Sequence, residues 1–245
     1  MKKILSFIRV SYRITALIIW LTLPHEFLSS QVDDKPDYKN IFGNQYIAAI
    51  QYLDNNKWIT STLIRNNIDP CFAKSIVFPE LIRYSYLRDL MEVQALKTLY
   101  VQYGQDYANF SVGRFQIKPE FAEHLEADIK VNLRIKDSLI KYIDTTQTPK
   151  ARRERIERLD SEAWQVQYLV WFIKVMNHKF PHLSGQVTGN NIMFYATAYN
   201  CGYYLSETEI NENTSKSYFH TAIFSSKEKY NYASVSYYFW VQCMQ

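Results

Sequence analysis

Residues 163–180 are apolar around most of a helix's circumference: Trp164, Tyr168, Leu169, Trp171, Phe172, Ile173 and Val175 leave no broad polar stripe. A helix with no face to give to water has to be wrapped by other elements, and it reads as the central buried helix of the fold. The remaining chain supplies helices to do the wrapping. Glycine is scarce, six in 245 residues, strand-like alternation is rare, and many windows carry apolar residues at helical spacing. An all-α fold is expected. No Pro/Gly/Ser-rich linker divides the chain, so one domain with one good-sized core is expected.

Lys2, Lys3, Arg9 and Arg13 precede an apolar run over 14–23, which is followed by Pro24 and the small residues Ser29 and Ser30. Basic region, short apolar stretch and small residues make a secretory signal over residues 1–30, and the apolar run is short for a bilayer span. The mature domain then occupies 31–245, exported to the periplasm or cell envelope. Leu28 suits a cut after Ser30 poorly, so an uncleaved anchor with inner-membrane contact is the alternative. The formal charge of +4 owes much to this leader, which holds four basic residues and one acidic. What remains is nearly neutral and gives no reason to expect a nucleic-acid partner. Cys71, Cys201 and Cys243 are an odd set without metal spacing; one disulfide at most can form, and the sequence does not pair them. No metal or other cofactor is expected, and His124, His178, His182 and His220 lack ligand spacing.

Helices are expected over about 42–53 and 58–67. Asp69 and Pro70 open a third as N-cap and first-turn proline. Pro79 is expected to kink or interrupt it, placing Glu80 at a break before a helix to Tyr103. Residues 105–118 are too irregular for a helix and suggest a loop or small hairpin. A charged helical region follows from Pro119 to about Ile143. Residues 150–158 are dense in charge, read as a solvated helix start, with a basic membrane or wall contact as the other possibility. A helix over about 190–200 ends at Gly202, a polar stretch covers 206–217, and a last helix runs over about 227–242.

Three places carry candidate chemistry. Glu80 sits among Ile76, Val77, Phe78, Leu81 and Ile82; such surroundings raise a carboxyl pKa toward that of a proton donor, whereas a helix N-terminus would lower it. Residues 113–116 allow a tight turn in which backbone donors and the Gln116 amide face a cleft. Residues 198–202, Ala-Tyr-Asn-Cys-Gly, end a helix. Each alone is also an ordinary first-turn acid, turn or helix cap.

Their order resembles the soluble lytic transglycosylases of the lysozyme-like superfamily. That family has a catalytic Glu usually followed by Ser, then Gly-Leu-Met-Gln-Ile-x-Pro, then Ala-Tyr-Asn-Ala-Gly, then a final helix with Glu-Thr-x-x-Tyr. This chain offers Glu80 before Leu81; Gly113, Arg114, Phe115, Gln116, Ile117, Lys118 and Pro119; residues 198–202; and Glu228 with Tyr232. The departures are Leu81 in place of serine, with Tyr84 and Ser85 as the nearest hydroxyls, Arg114 and Phe115 for Leu and Met, and Cys201 for Ala. The spacing from Glu80 to Gln116 is longer than in compact members. A divergent branch is implied.

The resemblance implies a lysozyme-like helical domain that acts on the glycan strands of peptidoglycan. Glu80 would be the single acid/base that cleaves the bond between N-acetylmuramic acid and N-acetylglucosamine, with closure to a 1,6-anhydro sugar. Gln116 and Asn200 would hold acetamido or hydroxyl groups, and Tyr199 and Tyr232 would line the cleft. A muramidase-type hydrolase would need a second carboxylate, for which Asp106 is the candidate, with a loop cap or salt bridge as its plainer role. A catalytically inactive wall-binding or assembly protein, or a secreted helical adaptor, are the remaining alternatives.

Overall fold

The computed structural model describes residues 36–84, 90–108, 110–131, 137–220 and 228–245, with only the backbone of 90–92. The expected leader, most of the lead-in, and Ser85 lie outside them. Residues Tyr38–Gln245 make one compact unit. The described residues are mostly helical, as the composition predicts, with α1 at Tyr38–Phe42, α2 at Asn44–Asn55, α3 at Lys57–Arg65, α4 at Pro70–Tyr84, α5 at Leu90–Tyr103 and α6 at Pro119–Val131. The order continues with α7 at Pro149–Asp160, α8 at Glu162–Lys179, α9 at Gly189–Cys201, α10 at Glu207–Thr214 and α11 at Tyr232–Cys243. A small antiparallel pair, β1 at Ser217–Phe219 and β2 at Tyr230–Asn231, precedes α11.

α8 occupies the place expected of it. Ten of its residues are buried, including Trp171 and Phe172, and it touches α3, α4, α6, α7 and α9. Around it the helices form two packets. α4 packs on α11, α9 and α2, while α7 packs on α5 and α6. Cys71 at the start of α4 is disulfide-bonded to Cys243 at the end of α11 across 172 positions, and Cys201 is the free thiol. Removing the bridge from so long a loop is expected to cost about 2–5 kcal/mol, read as a lower denaturant midpoint for the Cys71→Ala/Cys243→Ala protein.

Several elements differ from those expected of the sequence. α4 runs unbroken through Pro79, so Glu80 lies inside a helix and not at a break. An interior proline forfeits about 3 kcal/mol, but burial of Phe72, Ile76, Val77, Phe78, Leu81 and Ile82 along α4, at about 1.5–3 kcal/mol for each large apolar side chain, outweighs it. The charged region expected to reach Ile143 ends as a described helix at Val131, and a 3₁₀ turn at Ile140–Tyr142 follows after undescribed residues. The polar stretch 206–217 contains α10, whose Ser206 and Glu209 form a reciprocal capping box. The final helix begins at Tyr232, capped by Asn231, whose Oδ1 accepts from the Ser234 amide at 2.7 Å.

The largest correction concerns α7. Its charges are not a solvated face: Arg152, Arg155 and Arg158 are buried. Arg152 donates to the carbonyls of Val101 and Gln102 at the end of α5. Arg155 Nε and Arg158 Nη2 each donate at 2.8 Å to the fully buried Glu126 of α6. Tyr168 of α8 donates to the same carboxylate, and Tyr100 of α5 joins through Arg155 and Glu123. One polar cluster thereby ties four helices together.

Candidate functional site

Between the two packets, α4, α6, α9 and the segment preceding α6 wall a cavity of about 290 Å³. Of the residues singled out in sequence, Glu80, Gln116, Tyr199 and Asn200 all line it. Tyr232 lies buried beside them, with its hydroxyl donating to the Ile76 carbonyl at 3.0 Å. Asp106 does not belong to this cavity. It lines a neighbouring depression of about 170 Å³, walled also by Lys118 and Glu120. The acidic residue that shares the Glu80 cavity is Glu120, in the first turn of α6. A larger cavity of about 560 Å³ lies between α2 and α11 and contains none of the candidates.

Segment 110–118 is a minimal hairpin. Val112 and Ile117 exchange both backbone hydrogen bonds, at 2.9 and 3.1 Å, closing a turn over 113–116. Gly113 and Gln116 both have positive φ, 70° and 49°. The Gln116 amide donates to the Gly113 carbonyl at 2.7 Å, which fixes that side chain across the turn. The Phe115 peptide is clamped from both sides: its N–H donates to Gln165 Oε1 of α8 at 2.9 Å, and its carbonyl accepts from Tyr199 Oη of α9 at 2.8 Å. Arg114 and Phe115 now have a structural account. Phe115 is buried, while Arg114 lies over the rings of Tyr52 and Tyr84 and pairs with Glu162 at 2.7 Å.

A methyl group on Gly113 would come within 1.8 Å of Gln165 Nε2, at a backbone conformation side chains rarely adopt. Gln165 Nε2 is itself committed to the Leu159 carbonyl at 2.8 Å. Gly113→Ala is therefore expected to break a buried amide's contacts and to destabilise by about 3 kcal/mol, measured as a shifted denaturant midpoint. The loss should reach the cavity as well, because Gln116 leaves its position with the turn.

Glu80 is 4% exposed. Burial pushes its pKa above the ordinary 4.5; the charges of Arg83 and Lys118 and the neighbouring Tyr232 hydroxyl pull the other way without overcoming it. Arg83 Nη1 lies 3.3 Å from Glu80 Oε2, an ion pair one helical turn along α4, yet that oxygen has no hydrogen-bond partner among the described residues. The Tyr232 hydroxyl, which also neighbours the Glu80 carboxyl, makes its hydrogen bond to the Ile76 carbonyl at 3.0 Å. With α4 continuous, Glu80 does not stand at the N-terminus of its own helix, and desolvation is the largest influence on its carboxyl.

Tyr199 and Tyr232 thus spend their hydroxyls on backbone carbonyls, one steadying the turn and the other steadying α4. Burial, and then the nearby Glu80 charge, holds both phenols in their neutral form. Asn200, at the end of α9, is freer: among the described residues its amide makes one weak contact, 3.7 Å to Cys201 Sγ. Gly202, with φ 113°, stops the helix there, as the sequence predicts. Among the described residues no group of three His, Cys, Asp or Glu side chains is placed to hold a metal ion, and no helix is long and apolar enough to cross a membrane.

The sequence reading missed Arg83, Lys118 and Glu120. For Lys118 and Glu120 the signal was present, since they flank Pro119 at the end of the turn motif. Arg83 stands one turn after Glu80. No family model, curated protein or solved structure matches the chain, so the site has to be read from its own geometry.

Proposed function

We propose that the chain is a lytic transglycosylase that cleaves the bond between N-acetylmuramic acid and N-acetylglucosamine in peptidoglycan, on a divergent lysozyme-like scaffold. The observation that carries this is the buried Glu80 carboxyl, with one oxygen lacking a hydrogen-bond partner among the described residues, in a cavity shared with Gln116 and Asn200. A buried carboxyl oxygen that has an ionic neighbour at 3.3 Å but no hydrogen bond calls for an explanation, and a ligand oxygen supplies one.

Protonated Glu80 donates to the leaving glycosidic oxygen. The carboxylate so formed, held by Arg83, then takes the proton of the muramic acid 6-hydroxyl as that oxygen closes on the anomeric carbon. The nucleophile belongs to the substrate, so no second carboxylate has to activate water. Carboxamides such as Gln116 and Asn200 match the acetamido groups of both sugars in donor and acceptor. Glu120 supports a second reading, hydrolysis, because it puts a further carboxylate on the same cavity.

The pH profile of turnover tests the acid role. Donation requires Glu80 to be protonated, so the alkaline limb of kcat should lie above pH 4.5, the ordinary carboxyl value, and fall as pH rises through the raised pKa. A limb at or below 4.5 would remove Glu80 as the acid.

A further inference from the structure

The cavity around Glu80 carries more positive charge than an acid needs. The charges of Arg83 and Lys118 both act on the carboxyl, and the walls also carry Glu120, His220, the phenols of Tyr199 and Tyr204 and the Cys201 thiol, of which burial holds the phenols and the thiol in their neutral forms. Arg83 is restrained: besides Glu80 it reaches the His220 carbonyl at 3.3 Å and lies 4.9 Å over the Phe219 ring. Lys118 is not. Its side chain is exposed and makes no hydrogen bond or ion pair among the described residues, although Glu120 stands on the same wall two positions away. When Glu80 holds its proton, Arg83 loses that counter-charge, and among the described residues of the wall the two cations are left with one carboxylate, Glu120. The wall is then net positive while it waits for substrate, and an anionic group on the incoming sugar would balance it.

Resting on the transglycosylase reading above, we infer that the cavity selects glycan whose muramic acid carries a free carboxylate, with Lys118 reading that charge. In a strand stripped of its peptides, the lactyl substituent ends in such a carboxylate; in an intact strand it is an amide, and the nearest acids lie further out along the peptide. Both sources share the carboxylate chemistry. The position of Lys118 beside Glu80, at the reacting bond, favours the carboxylate on the ring itself. Charge-assisted contacts of this kind are short-ranged and specific to an anion, so neutral chitin oligosaccharides should gain nothing from Lys118.

The test uses the full chain with three probes: peptide-stripped glycan strands, intact peptidoglycan strands and neutral chitin oligosaccharides. The wild type is expected to show a KM roughly tenfold lower on stripped than on intact strands, a charge-assisted hydrogen bond's worth of preference. It should also bind stripped strands more tightly than chitin, by a margin that shrinks as salt is raised. Lys118→Gln should lose both differences and, with one cation fewer acting on Glu80, should move the alkaline limb of kcat to higher pH; Lys118→Arg should keep both differences and leave the limb in place. Because the Lys118 side chain is exposed and has no hydrogen bond or ion pair among the described residues, neither variant is expected to disturb the fold. Equal KM on stripped and intact strands, or a preference that survives in Lys118→Gln, overturns the inference while leaving the transglycosylase reading standing. A preference for intact strands overturns it too, and moves the charge to the peptide carboxylates. Failure of the wild type to bind or cut any glycan overturns both.

Discussion

Glu80→Gln is expected to lower turnover of peptidoglycan by about 10²–10⁴-fold, the range that a positioned general acid contributes, while the protein stays folded and becomes no less stable at neutral pH. The two halves of this expectation have one cause. In the folded chain the buried carboxyl keeps its proton to higher pH than in the unfolded chain, where it titrates near 4.5. Between those values the folded state binds more protons, so the contribution of Glu80 to stability falls as pH rises and stays low above the folded pKa. Gln has the shape of the protonated acid and lacks this penalty. Its melting temperature should therefore equal or exceed that of the wild type above the window, and the difference should vanish below pH 4.5. Arg83 is partly exposed and recovers water when its partner becomes neutral. A large loss of stability in Glu80→Gln would mean that the carboxylate is a structural ion-pair partner and not an acid held in reserve.

The opposite behaviour is expected at Glu126. Glu126→Ala removes the acceptor of Arg155 Nε, Arg158 Nη2 and Tyr168 Oη together, leaving two buried guanidinium groups facing a void. Breaking a buried ion pair from one side costs about 3–5 kcal/mol, and two cations share this partner. For a chain of this size each kcal/mol lowers the melting temperature by about 2–4 °C, so a fall of roughly 10 °C or more is expected by calorimetry. Activity should fall with it at temperatures where the protein is still folded. α6 is anchored by Glu126, and its first turn adjoins the hairpin that holds Gln116. A shift within 1 °C would show that the cluster is dispensable for the packing of α5 to α8.

These two carboxylates also mark what the sequence could and could not disclose. α8 was legible because a helix apolar on most sides has one destination, the core, and that follows from its own residues. The stop at Gly202 and the turn at 113–116 were legible for a similar reason: a left-handed residue writes itself locally. Glu80 was legible as a candidate only through the order of motifs, and its setting was misjudged at Pro79. A proline's local effect on a helix is fixed, but whether the helix survives depends on α11, α9 and α2, which pack on it from far along the chain.

The arginines of α7 lay beyond local reading altogether. Each guanidinium is solvated or buried according to partners in α5, α6 and α8, tens of residues away for α5 and α6. Charge density in sequence looks the same in both cases. Asp106 precedes the turn motif in sequence, yet the 3₁₀ turn at Gln105–Tyr107 carries it into the adjoining depression, and Glu120, in the first turn of the charged helix that starts at Pro119, is the acid that shares the cavity wall with Glu80. The roles proposed for Tyr199 and Tyr232 shift for the same reason. A phenol beside a cleft can face substrate or backbone, and here both hydroxyls have found carbonyls.

The most direct test of the central claim is the chemistry of the ends released from purified peptidoglycan by the full chain, with Glu80→Gln run beside it and muropeptides separated by mass. A transglycosylase leaves 1,6-anhydro-muramic ends in the wild-type digest and none with Glu80→Gln. Reducing ends in their place would contradict it and turn attention to water activated by Glu120, and equal release by Glu80→Gln, or no release by the folded wild type, would remove Glu80 from catalysis.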